Sequence, residues 1–261
     1  MSESAPLGAP PGVPADRSVD DAADRSVGDA AVAATSSSDE AALVELAGLT
    51  AYVRMGLFGL IARQTFGAPS LEAAMRMETV SVRIGNQQQA LYAAMAERGN
   101  DPVELLRPFT GVLDAFDART QPSTWWEGVL KAVVGHGVAG DLCRLLATAL
   151  PDAVGPAVGE ALVHADRDQD LRVTQMVQQA AAHDARLASR LALWGRRIVG
   201  ESLRLSQDLL SSRPALARLA RTAAESAAAS GAAAPADPIA WVIIELTAEH
   251  ARRMDWMGLA A

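Results

Sequence analysis

The sequence predicts an all-α protein, a bundle of four long helices with shorter helices packed around it. No stretch shows the sustained alternation of apolar and polar residues that a half-buried strand requires. Apolar residues recur at helical spacing instead, and Ser, Thr or Asp precedes most of these runs, as is typical of helix N-caps. With 261 residues, of which 50% are hydrophobic, the chain is long enough to bury a sizeable core.

The N-terminal segment, residues 1–37, differs in composition from the rest of the chain. It contains four prolines and then a tandem octapeptide, ADRSVDDA followed by ADRSVGDA, and it has no aromatic residue. Such a segment cannot bury enough apolar surface to offset the entropy of ordering. We expect a disordered acidic tail over 1–37 and one helical domain over 38–261. The segment fits neither a signal peptide nor a transit peptide.

The first long helix is predicted over 37–65. Ser37 and Glu40 have the spacing of a capping box ahead of a long apolar run. Between residues 46 and 62 the only charge is Arg54, so a membrane span has to be weighed against a core helix. A charge at the centre of a span would cost about 3 kcal/mol. We therefore expect a buried helix and no membrane contact.

The second long helix is predicted to begin at Ser70 and to stop at Gly99. Its inner face consists of Met77, Val80, Ile84, Leu91 and Met95. Asp101 and Pro102 then open a short third segment, which Pro108 interrupts.

The third and fourth long helices are predicted over 124–150 and 156–182. Thr124 and Glu127 form a second capping-box pair. The inner face of the third helix consists of Val129, Val133, His136, Gly140 and Cys143. That of the fourth consists of Leu162, Asp166, Gln169, Val173 and Val177.

Three further helices follow these four. Asp184 is predicted to cap a helix whose inner face consists of Leu187, Leu191, Trp194, Ile198, Leu205 and Leu209. An Ala-rich helix follows Pro214, and residues 230–235 form a linker. Asp237 and Pro238 precede a last helix over 239–257.

Charge and cysteine content limit the functional classes. The chain has 31 acidic and 23 basic residues, a formal charge of -8, which argues against a general polyanion binder. Cys143 is the only cysteine, so no intrachain disulfide and no cysteine-based zinc site can form. A reducing, cytoplasmic location is expected.

Polar residues occupy several positions of the predicted inner faces. They are Gln87 on the second long helix, His136 on the third, and Asp166 with Gln169 on the fourth. Because buried polar groups need partners, these side chains should meet if they lie at one level of the bundle. A hydrogen-bonded core cluster would also explain them.

Two short motifs identify a family resemblance. They are the threonine-x-proline-serine turn at 120–123 and the tryptophan-glycine-arginine-arginine run at 194–197. Together with the surrounding segments 101–144, 190–202 and 250–260, they resemble the actinobacterial ferritin-like proteins related to the tRNA-(2-methylthio-N6-isopentenyladenosine) hydroxylase. The resemblance covers about 40–261. It implies a ferritin-like four-helix bundle with extra C-terminal helices, and a two-iron carboxylate site that hydroxylates an isoprenoid side chain with dioxygen.

Five of the six positions that correspond to the family's iron ligands have changed. The six are Gly48, Ile84, Gln87, His136, Asp166 and Gln169. The resemblance implies a carboxylate, a Glu-x-x-His pair, a second carboxylate and an acid-x-x-His pair at these places. Only Asp166 keeps its expected type. None of the chain's four histidines has an acid three residues before it, so this chain has no acid-x-x-His pair.

Two functions from different classes follow. The favoured one is a non-catalytic binding or scaffold protein that has lost most di-iron ligands and needs no metal cofactor. It would use its bundle surface to bind a protein partner or to form a homo-oligomer. The alternative is a di-iron, oxygen-dependent hydroxylase acting on isopentenylated tRNA or another isoprenoid substrate, with an unusual site around His136, Asp166, Asp141 and Glu78.

Overall fold

The fold was examined in a computed structural model of the chain. It describes residues 20–151, 154, 156–163, 167–231 and 237–259. Side chains are described from residue 37 onward within these ranges, apart from 156, 157, 163 and 167–171. These residues form ten α-helices and a short 3-10 turn, with no strand among them, so the all-α prediction is confirmed.

The helices are numbered in chain order. They are α1 (Asp20–Phe66), α2 (Leu71–Glu97), α3 (Pro102–Leu106), α4 (Asp114–Arg119), α5 (Trp125–Ala147), α6 (Pro156–Val163), α7 (Arg167–His183), α8 (Ala185–Ser212), α9 (Pro214–Ala229) and α10 (Pro238–Trp256). The 3-10 turn, Arg107–Phe109, follows α3. Helix α5 packs against α6, α7, α8, α9 and α10, which makes it the centre of the bundle.

The chain divides into two compact units, Met1–Ser38 and Asp39–Ala261. Helix α1 begins at Asp20, so the predicted helix start at Ser37 is wrong: Ser37 and Glu40 lie inside a helix that has already formed. The predicted disordered tail includes residues 1–19, which lie outside the described residues, and it stays a prediction.

Most other helix starts were predicted correctly because their caps are local. The Ser70 side chain accepts from the backbone N–H of Ala73. Thr124 and Glu127 form a complete capping box, with each side chain bonded to backbone N–H at the other end of the turn. Asp101, Asp184 and Asp237 accept from the first N–H groups of α3, α8 and α10.

The predicted fourth long helix, 156–182, is described as two helical segments, α6 and α7. Residues 164–166 between them lie outside the described residues, so the continuity of this helix stays a prediction. The Arg54 guanidinium of α1 donates to the carbonyl oxygens of Ala161 (2.7 Å) and Leu162 (3.1 Å) in α6. These charge-assisted hydrogen bonds join α1 to α6.

The predicted inner faces of α2 and α8 largely match the core. All five predicted residues of α2 are buried, as are Leu187, Leu191, Ile198 and Leu209 of α8. Trp194 and Leu205 are partly buried against the core. Helix α5 differs from the prediction of a single inner face, because packing on several sides buries most of its circumference.

One helical segment of the described chain, Ser37–Phe66, has the length and apolar composition of a membrane span. Half of the most apolar 18-residue stretch of this segment is buried inside the protein, as in a core helix. Leu43, Leu46 and Leu49 are among its fully buried side chains.

Candidate functional site

The buried apolar side chains form two clusters, and a polar layer lies between them. On α1 the first cluster ends at Val53 and the second begins at Leu60. On α5 the second cluster ends at Val134 and the first cluster begins again at Val138. Polar side chains occupy the gaps on five helices, and we call them the central polar layer: Arg54, Gln88, His136, Ser202, Ser206 and His250.

His136 lies between two small cavities of the central polar layer. A cavity of about 60 Å³ is lined by His136 with Thr50 and Arg54, and one of about 30 Å³ by His136 with Ser202 and Ser206. The Nδ1 atom of His136 is buried and has no hydrogen-bond partner among the described residues. Burial lowers the pKa of His136 to about 4, so the ring is neutral near pH 7.

Cys143 lines both cavities beside His136. Its thiol is free and buried, and burial raises its pKa, so the thiol stays protonated. The chain's only cysteine therefore behaves as a small apolar core residue.

Gly48 occupies a position where the backbone of α1 touches the segment after α2. A Cβ at this residue would lie 2.4 Å from the carbonyl oxygen of Leu105 and 2.8 Å from Cε2 of Phe109. Both neighbours belong to the core, and the first is a backbone atom. The contact leaves no space for any side chain at residue 48.

Ile84 and Gln87 differ in their surroundings. Ile84 is fully buried in the second apolar cluster, whereas Gln87 is only partly buried. The polar residue that α2 directs into the core is Gln88, whose amide donates to the Ala51 carbonyl oxygen at 2.9 Å and to Tyr92 Oη at 2.5 Å. Helical spacing does not distinguish the two residues, since 87 and 88 each lie three or four positions from Ile84 and from Leu91.

Two predicted site residues have no described side chain. Asp166 lies outside the described residues. Gln169 is in α7, but its side chain is not described. The predicted meeting of these residues with His136 therefore stays a prediction.

Of the four residues of the alternative site, His136, Asp141 and Glu78 are described and Asp166 is not. Both carboxylate oxygens of Asp141 are engaged, one with Arg144 and the other with Arg253 of α10 at 2.7 Å. Glu78 is exposed on the surface of α2. Within the described residues, no three His, Cys, Asp or Glu side chains are grouped to hold a metal ion.

Arg253 is a site residue that the sequence analysis missed. Its guanidinium lies against the backbone of α5, where a Cβ at Gly137 would be 2.7 Å from Cζ. Gly137 thus permits the close approach that lets Arg253 reach Asp141. The glycines on either side of His136 are a sequence signal for such an approach.

The two resemblance motifs have structural roles. The Nε1 atom of Trp194 donates to the carbonyl oxygen of Glu127 at 3.0 Å and joins α8 to α5. Thr120 is fully buried, and its hydroxyl donates to the Phe116 carbonyl oxygen at 2.6 Å. One residue of each motif thus forms a hydrogen bond within the fold.

The comparison with protein families gives one match, and the curated proteins give none. The matching model describes a ferritin-like domain of actinomycetes, and it covers residues 37–222 of this chain. That range contains helices α2 to α8 and reaches into α1 and α9. Since more than half of the chain is matched, this protein belongs to the ferritin-like domain family of actinomycetes.

Proposed function

We propose that this ferritin-like chain is a tRNA hydroxylase-like, non-catalytic protein of the cytoplasm that has lost most di-iron ligands and acts by binding a protein partner or a second copy. The contact at Gly48 is the main support for this proposal. A carboxylate at that position would have to displace the Leu105 backbone, at a distance of 2.4 Å from its Cβ.

The other described positions give the same support. Ile84 is an apolar residue within an apolar cluster and has no ligand atom. His136 offers one imidazole nitrogen, but no carboxylate of the described chain lines either of its cavities. Two irons bound by oxygen and nitrogen ligands need several carboxylates, so the described residues do not fit a di-iron centre.

The alternative of an active hydroxylase has weaker support. Asp141 would have to leave two arginines to bind a metal, and Glu78 would have to turn inward from the surface. Breaking a buried ion pair leaves uncompensated charge and costs several kcal/mol.

Elemental analysis of the purified full-length chain tests the loss of metal. We expect no stoichiometric iron, manganese or zinc after expression in iron-supplemented medium. A pair of metal atoms per chain would overturn the proposal and favour the alternative.

The binding role is supported by an apolar patch on the outer face of α1 and α2. The patch consists of Met55, Phe58 and Val82, which are 45%, 43% and 57% exposed. The Phe58 ring reaches across to α2, where a Cβ at Gly85 would lie 3.8 Å from Cε2. Adjacent exposed apolar side chains are typical of an interaction surface.

Light scattering and partner capture test this surface with the double variant F58E/V82E. We expect the variant to lose the oligomer or partner that the wild-type chain forms. The matched control is Leu193→Glu, at another exposed apolar residue, which is 65% exposed. An F58E/V82E chain with the mass and partners of the wild type would overturn the proposal.

A further inference from the structure

Two adjoining cavities lie between α2 and α7, and no residue of the central polar layer lines them. The first has a volume of about 410 Å³ and the second about 350 Å³, and Arg76 lines both. Volumes of this size are typical of small-molecule sites.

The first cavity has a cationic rim over an apolar floor. Its rim includes Arg76 and Arg83 of α2 and Arg172 of α7, and its floor includes the buried residues Val80 and Val173. No acidic side chain is among the described residues that line it. Three guanidinium groups around one space are unusual in a chain whose net charge is -8. Guanidinium groups bind phosphate through paired hydrogen bonds.

The second cavity is lined mainly by apolar and neutral side chains. Ala73, Trp126, Met176 and Ala180 line it, with Gln179, His183 and Glu72 among the polar residues around them. Its only arginine is Arg76, shared with the first cavity. The two cavities therefore differ in polarity along one groove.

We propose that this groove binds a small anionic amphiphile with a phosphate head group and a single unbranched apolar chain. The head group lies among Arg76, Arg83 and Arg172, and the chain extends toward Trp126. From Arg83 to Glu72 the helix rises about 16 Å, a length that the head group and the apolar chain share. None of the described residues that line the groove is a former metal position, so this proposal does not rest on the loss of metal.

Titration of the full-length chain with monomeric dodecyl phosphate tests the proposal, read by calorimetry and by tryptophan fluorescence. We expect saturable binding with a change in Trp126 emission. Dodecanol, which lacks the charge, and inorganic phosphate, which lacks the chain, should each bind at least about tenfold more weakly. The proposal would be overturned if dodecanol or inorganic phosphate bound as tightly as dodecyl phosphate.

The double variant R76A/R172A removes two exposed head-group contacts. We expect at least about a tenfold loss of affinity for dodecyl phosphate, because each charge-assisted hydrogen bond is strong. The matched control is R204A/R221A, which removes the same charge from exposed positions of α8 and α9. An equal loss in the control would show a general charge effect and overturn the site.

The variant Trp126→Phe tests where the apolar chain of the ligand lies, independently of how tightly the ligand binds. We expect calorimetric binding to persist while most of the fluorescence change disappears. A full fluorescence change in this variant would place the ligand elsewhere.

Vesicles and an RNA oligonucleotide complete the test: binding to phosphatidic acid vesicles or to RNA, with none to the monomeric amphiphile, would also overturn the proposal.

Discussion

Arg54 of α1 donates a hydrogen bond from Nη1 to the backbone carbonyl oxygen of Ala161 at 2.7 Å. A second nitrogen of the same guanidinium donates to Leu162 at 3.1 Å. The only charge in the apolar stretch of α1 therefore contacts the backbone of α6. It connects helices that are more than a hundred residues apart in the chain.

Replacing Arg54 by Ala should lower the free energy of unfolding by about 2–4 kcal/mol, because buried carbonyl groups lose their donor. Arg54→Lys should cost less, since one charged donor remains. Urea denaturation followed by circular dichroism measures both values. Arg204→Ala, at an exposed residue of α8, is the control and should change stability by less than about 0.5 kcal/mol. Equal stability of the Arg54→Ala and control variants would contradict the role given to Arg54.

Replacing Gly48 by Ala should destabilise the protein by about 1–3 kcal/mol, because the new Cβ meets the Leu105 backbone. Gly59 is the matched control on the same helix, since a Cβ there meets nothing within 4 Å. Gly59→Ala should stabilise by about 0.5–1 kcal/mol through helix propensity. Thermal and urea denaturation of the two variants give the comparison. The same change in stability in both variants would show that the contact with Leu105 does not restrict the side chain at residue 48.

Lowering the pH from 6.5 toward 4 should destabilise the fold through His136 and His250. Burial lowers the pKa of each to about 4, whereas an unfolded histidine titrates near 6.5. Between these values the unfolded chain binds more protons than the folded chain, so stability falls as the pH falls. Each histidine should contribute about 1.4 kcal/mol per pH unit within this window.

The variant His136→Gln tests this pH dependence, because glutamine is polar and does not titrate. Unfolding free energies measured at intervals between pH 6.5 and 4.5 should show a shallower slope than in the wild type. An unchanged slope would mean that His136 titrates alike in the folded and unfolded chains.

Deleting residues 1–36 should leave the melting temperature unchanged within experimental error. This segment has no aromatic residue and no sustained apolar run, so its composition predicts no contribution to the core. Differential scanning calorimetry of the shortened and full-length chains measures the effect. A loss of several degrees would show that the segment stabilises the domain.

Much of the fold was predictable because its determinants are short-range. Ser70, Thr124 and Asp184 each bond to N–H groups within the next three residues, and such caps are visible in the sequence. The inner face of α2 follows from spacings of three and four residues. The same rule admits both Gln87 and Gln88, and only the structure shows that Gln88 is the buried one.

The candidate site was less predictable because its determinants are long-range. The sequence singled out His136, but not that Arg54 and Ser202 lie on opposite sides of it. Gly48 was recognised as lacking a ligand atom, whereas its contact with Leu105 depends on a segment 57 residues later. No local pattern contains that information.

The sequence by itself determined the helical class, most helix starts and the faces of α2 and α8, because each depends on neighbours within one or two turns. Only the tertiary structure decided that the Arg54 guanidinium of α1 reaches the backbone carbonyl oxygens of α6. It also brought Arg83 and Arg172 to one cavity. These arrangements depend on the packing of distant helices, which sequence spacing does not specify.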